Sequence, residues 1–236
     1  MEGKCSAVIV AAGAGTRMGG GVRKQFLQLR DKPVLAHTLE KFQSCGAIDE
    51  IILVIPEKEI DYCIKNIVER YNLTKVRKVV PGGAERQESV YKGLAALEEA
   101  GIIVIHDGVR PFVGTKDIER TVAAAREGNA AILAVRVKDS IKRESGGLVT
   151  AVPRDGLWMA QTPQAFEAGL IIGAHRKAME EGFIGTDDSV LVERLGVPVK
   201  IVEGGYENIK ITTGIDLAFA EAILNTEEKG MSNEKG

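Results

Sequence analysis

Apolar runs of strand length alternate along the chain with stretches in which apolar residues return at helical spacing. The runs at 6–12, 50–55 (Glu-Ile-Ile-Leu-Val-Ile), 76–80, 102–106 (Ile-Ile-Val-Ile-His), 130–137 and 198–203 predict strands, and their continuous apolarity suits a sheet covered on both faces. The helical spacing predicts helices over 33–44, 57–70, 85–99, 115–127, 167–181, 187–195 and 214–228. Thr115 ahead of Asp117-Ile-Glu119, and Thr186-Asp187-Asp188 ahead of Val190-Leu-Val, mark helix N-termini, where hydroxyls and carboxylates satisfy free amides. This alternation describes an α/β fold, a Rossmann-like, mainly parallel sheet with helices on both faces. The polar tail from Glu227 is expected to fray.

One segment breaks the pattern. Residues 139–152 carry two β-prone stretches around Glu144-Ser-Gly-Gly147, a glycine turn suited to a protruding β-hairpin arm. Such a hairpin buries too little apolar surface to stand alone. It packs on its own domain or reaches a second subunit.

The 236 residues, 44% hydrophobic and 27% charged, suit one domain over 1–236. A formal net charge of −2 gives no sign of a surface that coats nucleic acid, so cationic chemistry must be local. Cys5, Cys45 and Cys63 show no C-x-x-C spacing, which argues against a disulfide framework or zinc site and for a reducing compartment. No apolar run approaches the ~20 residues of a membrane span, and strand-like sequence begins within a few residues of Met1, so a cytoplasmic location is expected.

The first strand runs into Ala11-Ala-Gly-Ala-Gly-Thr-Arg-Met-Gly19 and then Lys24-Gln25. Gly13 and Gly15 suit left-handed backbone and close approach, so amides can face anionic oxygens while Arg17 and Lys24 bring charge. A Rossmann fingerprint would need glycine at Met18, and a Walker A loop would need Gly-Lys-Ser/Thr at Gly20-Gly21-Val22, which disfavours both. Ligands of open α/β sheets bind beyond the carboxyl ends of strands. There the third strand ends in Pro81-Gly-Gly-Ala-Glu-Arg-Gln-Glu-Ser89 and the fourth in His106-Asp-Gly-Val-Arg-Pro111. This set suits a nucleotide held by backbone, metal and cations, with Asp107 as the natural Mg²⁺ ligand. Plainer readings stand beside these: Gly82-Gly83 as a turn, Asp107 as a turn cap, Arg17 as a solvated charge. His106 reads as a hydrogen-bonded structural residue ahead of a general base, and His37 and His175 receive no role. No serine sits in a G-x-S-x-G elbow, so a hydrolase triad is unsupported. Arg154 follows the hairpin, and Asn208-Ile-Lys-Ile-Thr212 reads as β-prone, with Asn208, Lys210 and Thr212 on one face.

Ala11 to Met18, Lys24-Gln25, Gly82-Gly83…Arg86…Ser89-Val90, His106 to Pro111, Pro153-Arg-Asp-Gly-Leu-Trp158, Gln161-Thr-Pro-Gln164, Thr186-Asp-Asp-Ser189 and Asn208 to Thr212 together resemble the 2-C-methyl-D-erythritol 4-phosphate cytidylyltransferase family, from about residue 6 to 225. The resemblance implies a nucleotide-diphospho-sugar transferase type of fold. It implies transfer of CMP from CTP to 2-C-methyl-D-erythritol 4-phosphate with release of pyrophosphate, in non-mevalonate isoprenoid biosynthesis, with a divalent cation, normally Mg²⁺, and a homodimer. The nearest competitor is ribitol 5-phosphate cytidylyltransferase, but Arg154 to Trp158 and Thr186 to Ser189 look more like the first family. By resemblance, Arg17 and Lys24 hold the triphosphate and the transition state, Arg154 and Lys210 grip the acceptor phosphate, and Asp107 helps hold metal or ribose. Ala11, Ala12, Gly13, Gly15, Gly83, Ser89 and Gly108 belong to the nucleotide side, and Arg110, Ser140, Thr162 and Thr186 support the acceptor. The arm at 139–152 is expected to embrace a second subunit. Arg23 stands where the family commonly has proline, Ala84 where it often has aspartate, and Ser140 where threonine is frequent.

Overall fold

A computed structural model describes residues 3–13 and 23–233. Its main sheet is built from β1 (Cys5–Val10), β4 (Glu50–Ile55), β5 (Val76–Pro81), β6 (Ile102–Asp107), β7 (Ala130–Arg136), β10 (Trp158–Glu167) and β11 (Lys200–Glu203). Two short strands, β2 (Gln28–Leu29) and β3 (Lys32–Pro33), pair with each other. The seven strands of the main sheet stand in the order β11-β7-β10-β6-β1-β4-β5. β10 runs antiparallel to both neighbours, and every other pairing in this sheet is parallel.

Alternation along the strands divides the core. Ala7, Ile9, Ile51, Leu53 and Val104 pack with Leu35, Leu39 and Phe42 of α1 (Val34–Ser44) and with Ile118 and Val122 of α4 (Thr115–Gly128). Val8, Val10, Ile52, Val54, Ile103 and Ile105 face the other way, onto α3 (Arg86–Ala95), α5 (Ala168–Glu180) and α6 (Asp188–Glu193). A third cluster joins Val109 and Phe112 after β6 to Ile211 and to Ala220 of α7 (Gly214–Asn233). Cys5, Cys45 and Cys63 are buried free thiols, and burial pushes Cys5 and Cys63 up to about 12. No helix among the described residues is long and apolar enough to cross a membrane.

The mainly parallel sheet is as expected; β10 is not among the predicted strands. Gln161, Thr162, Pro163 and Gln164 interrupt its apolar sequence, and a proline argues against an interior strand. The sheet accommodates it through a register shift against β7 between Ala160 and Gln164. The single helix expected over 57–70 is instead a 3₁₀ turn at Glu57–Glu59, α2 (Ile60–Cys63) and a π-helical stretch at Ile64–Glu69. Asn208 to Thr212 is irregular rather than a strand, with its one-face pattern absent: Asn208 and Ile211 are both buried, and Ile211 N donates to Val109 O at 2.9 Å. Gly114, not Thr115, precedes α4, and Asp187 rather than Thr186 caps α6, its carboxylate accepting from Val190 N at 3.1 Å.

The hairpin forms as β8 (Ile141–Ser145) and β9 (Leu148–Val152), joined by Gly146 and Gly147 at φ +60° and +80°. Two left-handed residues in a two-residue loop match the twist of the strands. β8 and β9 pair only with each other, and Leu148 is 78% exposed.

His106 closes β6 fully buried, its ring 4.9 Å from that of Phe42, and Nε2 donates to Arg110 O at 3.2 Å. Burial pushes its pKa down to about 3. The native state therefore holds a neutral imidazole where the unfolded chain, with a pKa of about 6.5, takes up a proton. Stability present at neutral pH is lost as pH falls below that unfolded value, by about 2 kcal/mol between pH 7 and 5. The carboxylates of Asp107 and Asp188, held below their ordinary range, lose their contribution only below about pH 4, outside this window. Denaturant unfolding at pH 7 and pH 5 should show this loss in the native chain and much less of it in His106→Gln. An equal loss in both would remove His106 as its source.

Candidate active site

Three strands end side by side, and the sheet's hydrogen bonds run on past them. Ala11 N donates to Val54 O, Gly82 N to Ile55 O and Gly108 N to Val10 O, each at 2.8 Å. The loops after β1, β5 and β6 are thereby set at fixed depth. A Cβ on Gly82 would lie 2.1 Å from that of Ala12, so only glycine lets these two backbones meet. The loop is held by α3: Ser89 Oγ accepts from Gly83 N and donates to Glu85 O at 3.0 Å each, and Glu88 accepts from Ala84 N at 2.8 Å. Lys92 Nζ donates to Gly82 O at 3.0 Å.

Two open clefts lie along this edge. The first, ≈ 570 Å³, is lined by Ala11, Ala12 and Gly13, by Lys24 and Gln25, and by Gly83 with Ser89. The second, ≈ 590 Å³, lies between the bulge of β10 and the loop before α6, with Arg110, Thr162 and Thr186 in its wall. Arg86, Asp107 and Lys210 line both, so the clefts meet at these side chains.

That shared wall is an ion-pair network. Asp107 Oδ1 accepts from Arg86 Nε at 2.9 Å, Oδ2 lies 2.8 Å from Lys210 Nζ, and Arg110 Nε is 3.7 Å from Oδ2. Arg86 Nη1 reaches Asp188 Oδ2 at 2.8 Å, and His175 Nε2 lies 3.1 Å from Asp188 Oδ1. Burial alone would raise the pKa of Asp107, but Arg86, Lys210 and Arg110 overcome it and hold the carboxyl well below its usual range. Burial likewise opposes the charge of Arg86, and the two carboxylates more than restore it. With three cations on two carboxylates and Lys24 opposite, the meeting point favours anions.

The donor set does not suit a protein-held metal. Both oxygens of Asp107 are engaged by cations, and no cluster of three or more His, Cys, Asp or Glu that could hold an ion occurs among the described residues. The expectation that Asp107 is a metal ligand gives way to an ion-pair role, because a dication there would have to displace Lys210.

Ala11, Ala12, Gly13, Lys24, Gly83 and Ser89 come together in the first cleft and Arg110, Thr162 and Thr186 in the second, as grouped from sequence. Arg17 and Gly15 lie outside the described residues. Gly13 is not left-handed, contrary to expectation. Gly108 sits beneath Ala11, outside both clefts, its carbonyl accepting from Thr38 Oγ1 at 3.0 Å. The Thr162 hydroxyl accepts from Asp107 N at 3.1 Å, which ties β10 to β6. Ser140 and Arg154 are not brought to the clefts within this chain. Ser140 is exposed at the foot of the arm, and Arg154 donates to Lys138 O in a separate depression with Arg136 and Tyr206.

The departures from the family pattern have visible outcomes. Arg23 lies 3.4 Å from Glu59, and the amide of Ala84 is taken by Glu88. Sequence reasoning gave no role to Arg86, Asp188 or His175. Arg86 stood in a quoted motif, and two acidic residues destined for burial needed a cation; His175 meets Asp188 only through the packing of α5 on α6.

Residues 5–226 match the sequence profile of the IspD family, described as 2-C-methyl-D-erythritol 4-phosphate cytidylyltransferase. The chain is 49% identical over 227 residues to the enzyme of that name from Geotalea uraniireducens, covering 94% of this chain and 97% of the relative. It is 51% identical over 223 residues to that of Geobacter metallireducens, covering 92% and 96%. Among solved structures, 4-diphosphocytidyl-2C-methyl-D-erythritol synthase from Anaerococcus prevotii superposes with a TM-score of 0.84 at 38% identity, covering 94% of this chain and 96% of that one. The protein from Thermus thermophilus follows at 0.75 and 32%, covering 92% and 98%. A sheet that carries two clefts joined at one cationic wall, together with these matches along nearly the whole chain, places it in the IspD family of 2-C-methyl-D-erythritol 4-phosphate cytidylyltransferases.

Proposed function

We propose that the first cleft holds CTP, that the second holds 2-C-methyl-D-erythritol 4-phosphate, and that CMP passes between them with release of pyrophosphate. The observation that carries this reading is the sharing of Arg86, Asp107 and Lys210 by both clefts, which brings two phosphates to one electropositive junction. A phosphate monoester dianion is already nucleophilic. An acceptor oxygen attacks the α-phosphorus of CTP, the bond to the β-phosphate oxygen breaks, and no general base is needed. Positioning and charge stabilisation carry the rate.

Lys24, with Arg17, faces the triphosphate and the charge that builds on leaving pyrophosphate. The backbone of Ala11, Ala12 and Gly13 holds the cytidine with Gly83, which Ser89 fixes. Lys210 grips the acceptor phosphate, and Arg110, Thr162 and Thr186 line its cleft. Asp107 sets Lys210 in place. Mg²⁺ finds no free carboxylate among these residues, so a dication would enter on the triphosphate oxygens. The arm at 139–152 embraces a second subunit in a homodimer and carries Ser140 and Arg154 to the partner's clefts. Support comes from its exposed Leu148 and Val149 and from the distance of Arg154 from this chain's own clefts. Three buried free thiols suit a reducing cytoplasm.

Lys24→Ala should lower kcat about a hundredfold, ~3 kcal/mol, while leaving the melting temperature close to that of the native chain. Near-normal turnover would strike Lys24 from the catalytic set. Lys210→Ala should raise KM for the polyol phosphate more than KM for CTP, measured by varying each substrate at saturation of the other. Equal weakening of both would reverse the division of the clefts.

Deleting Lys142 to Thr150 and closing the gap with a short turn should give a folded monomer with little activity, checked by light scattering and turnover. Mixing Arg154→Ala with Lys24→Ala subunits should restore activity, because one centre of each mixed dimer is intact. A mixture as inactive as its parents despite verified exchange would mean that Arg154 serves its own chain.

A further inference from the structure

Lys210, the cation assigned to the acceptor phosphate, stands on an irregular segment that no sheet ladder holds. Its ammonium is placed by Asp107 Oδ2 at 2.8 Å. Asp107 is in turn gripped by Arg86 Nε at 2.9 Å, Arg86 Nη1 is anchored on Asp188 Oδ2 at 2.8 Å, and Asp188 Oδ1 meets His175 Nε2 at 3.1 Å. Asp188 and His175 are 1% and 0% exposed, and neither lines either cleft. The backbone of Asp188 is fixed too, since Gln164 Oε1 accepts from Asp188 N at 3.2 Å and from Ser189 N at 3.1 Å. The line of contacts thus begins in α5, passes through α6, α3 and the end of β6, and finishes at the junction of the clefts.

A guanidinium is a planar fork whose direction is set by what its nitrogens bind. Here one edge faces Asp188 and the other Asp107. Held from behind, Arg86 can fix the carboxylate in front of it; without Asp188 it would be free to swing with Asp107 toward solvent.

We propose that Asp188 and His175 are positioning residues for the transfer reaction, acting through Arg86 and Asp107 to place the ammonium of Lys210. This rests on the reading of Lys210 as the acceptor's phosphate ligand. The effect belongs to the acceptor side, because the remote pair touches neither the cytidine loop nor Lys24.

Asp188→Asn keeps the shape and removes the charge. It should lower kcat/KM for 2-C-methyl-D-erythritol 4-phosphate by about tenfold, mostly through KM, with KM for CTP changed less than about twofold. His175→Gln, which leaves Arg86 and both carboxylates present, should act in the same direction to a smaller extent, and it carries the test if Asp188→Asn does not fold. Either change combined with Lys210→Ala should be no worse than Lys210→Ala alone, because the loss runs through that lysine; a merely structural lesion would add to it. Additive losses, or equal losses toward CTP and acceptor, would overturn the relay while leaving Lys210 in its role. If Lys210→Ala left the acceptor's KM unmoved, the assignment of Lys210 would fall, and the relay with it.

Discussion

The bridge that Arg86 makes between Asp107 and Asp188 is the interaction on which this site depends. Two carboxylates lie buried at the carboxyl edge of the sheet, and an unpaired buried carboxylate is costly enough that it would take up a proton or pull the loop toward water. One guanidinium, reaching both at 2.9 and 2.8 Å, keeps them ionised and ties α3, α6 and the end of β6 to one point. Breaking such a pair from one side costs more than the pair itself contributes, because the surviving charge is left without compensation. The network is therefore better understood as a device for orientation than as a source of stability.

Around that bridge the polar groups of β10 act as joints. The bulge that lets a proline-bearing strand run antiparallel inside a parallel sheet leaves Gln161, Thr162 and Gln164 free to bond sideways. Gln164 holds the first turn of α6, Thr162 takes the amide of Asp107, and Asn208 Nδ2 donates to Thr162 O and Gln161 Oε1 at 2.9 Å each. The segment that bears Lys210 is thus tied to the same strand that backs Asp107. Ile211, packed with Val109 and Phe112, supplies the apolar half of that attachment. The nucleotide loop is built differently, from glycine-permitted backbone contact and from side chains of α3 that occupy its amides.

Much was determined by the sequence alone. Continuous apolar runs separated by helical periods require a covered, mainly parallel sheet, so β1, β4, β5, β6, β7 and β11 and most helices could be read directly, as could the Gly146-Gly147 hairpin, whose turn chemistry is local. The loops at the strand ends were legible for the same reason: in such a sheet they must share an edge, and Lys24, Gly83, Asp107 and Arg110 do. What tertiary structure decided is every feature whose partner is distant in the chain. β10 could not be seen because Pro163 makes an interior strand unfavourable until a bulge between two fixed neighbours accommodates it. Asp107 carried the chemistry of a metal ligand in isolation, and only the arrival of Arg86 and Lys210 from distant segments engaged both its oxygens. His175 had no visible purpose until α5 packed against α6 and set it on Asp188. Local periodicity and turn chemistry are properties of neighbours along the chain, whereas the ionisation and aim of a buried side chain depend on groups that only folding brings within 3 to 4 Å, where charge pairs outweigh desolvation.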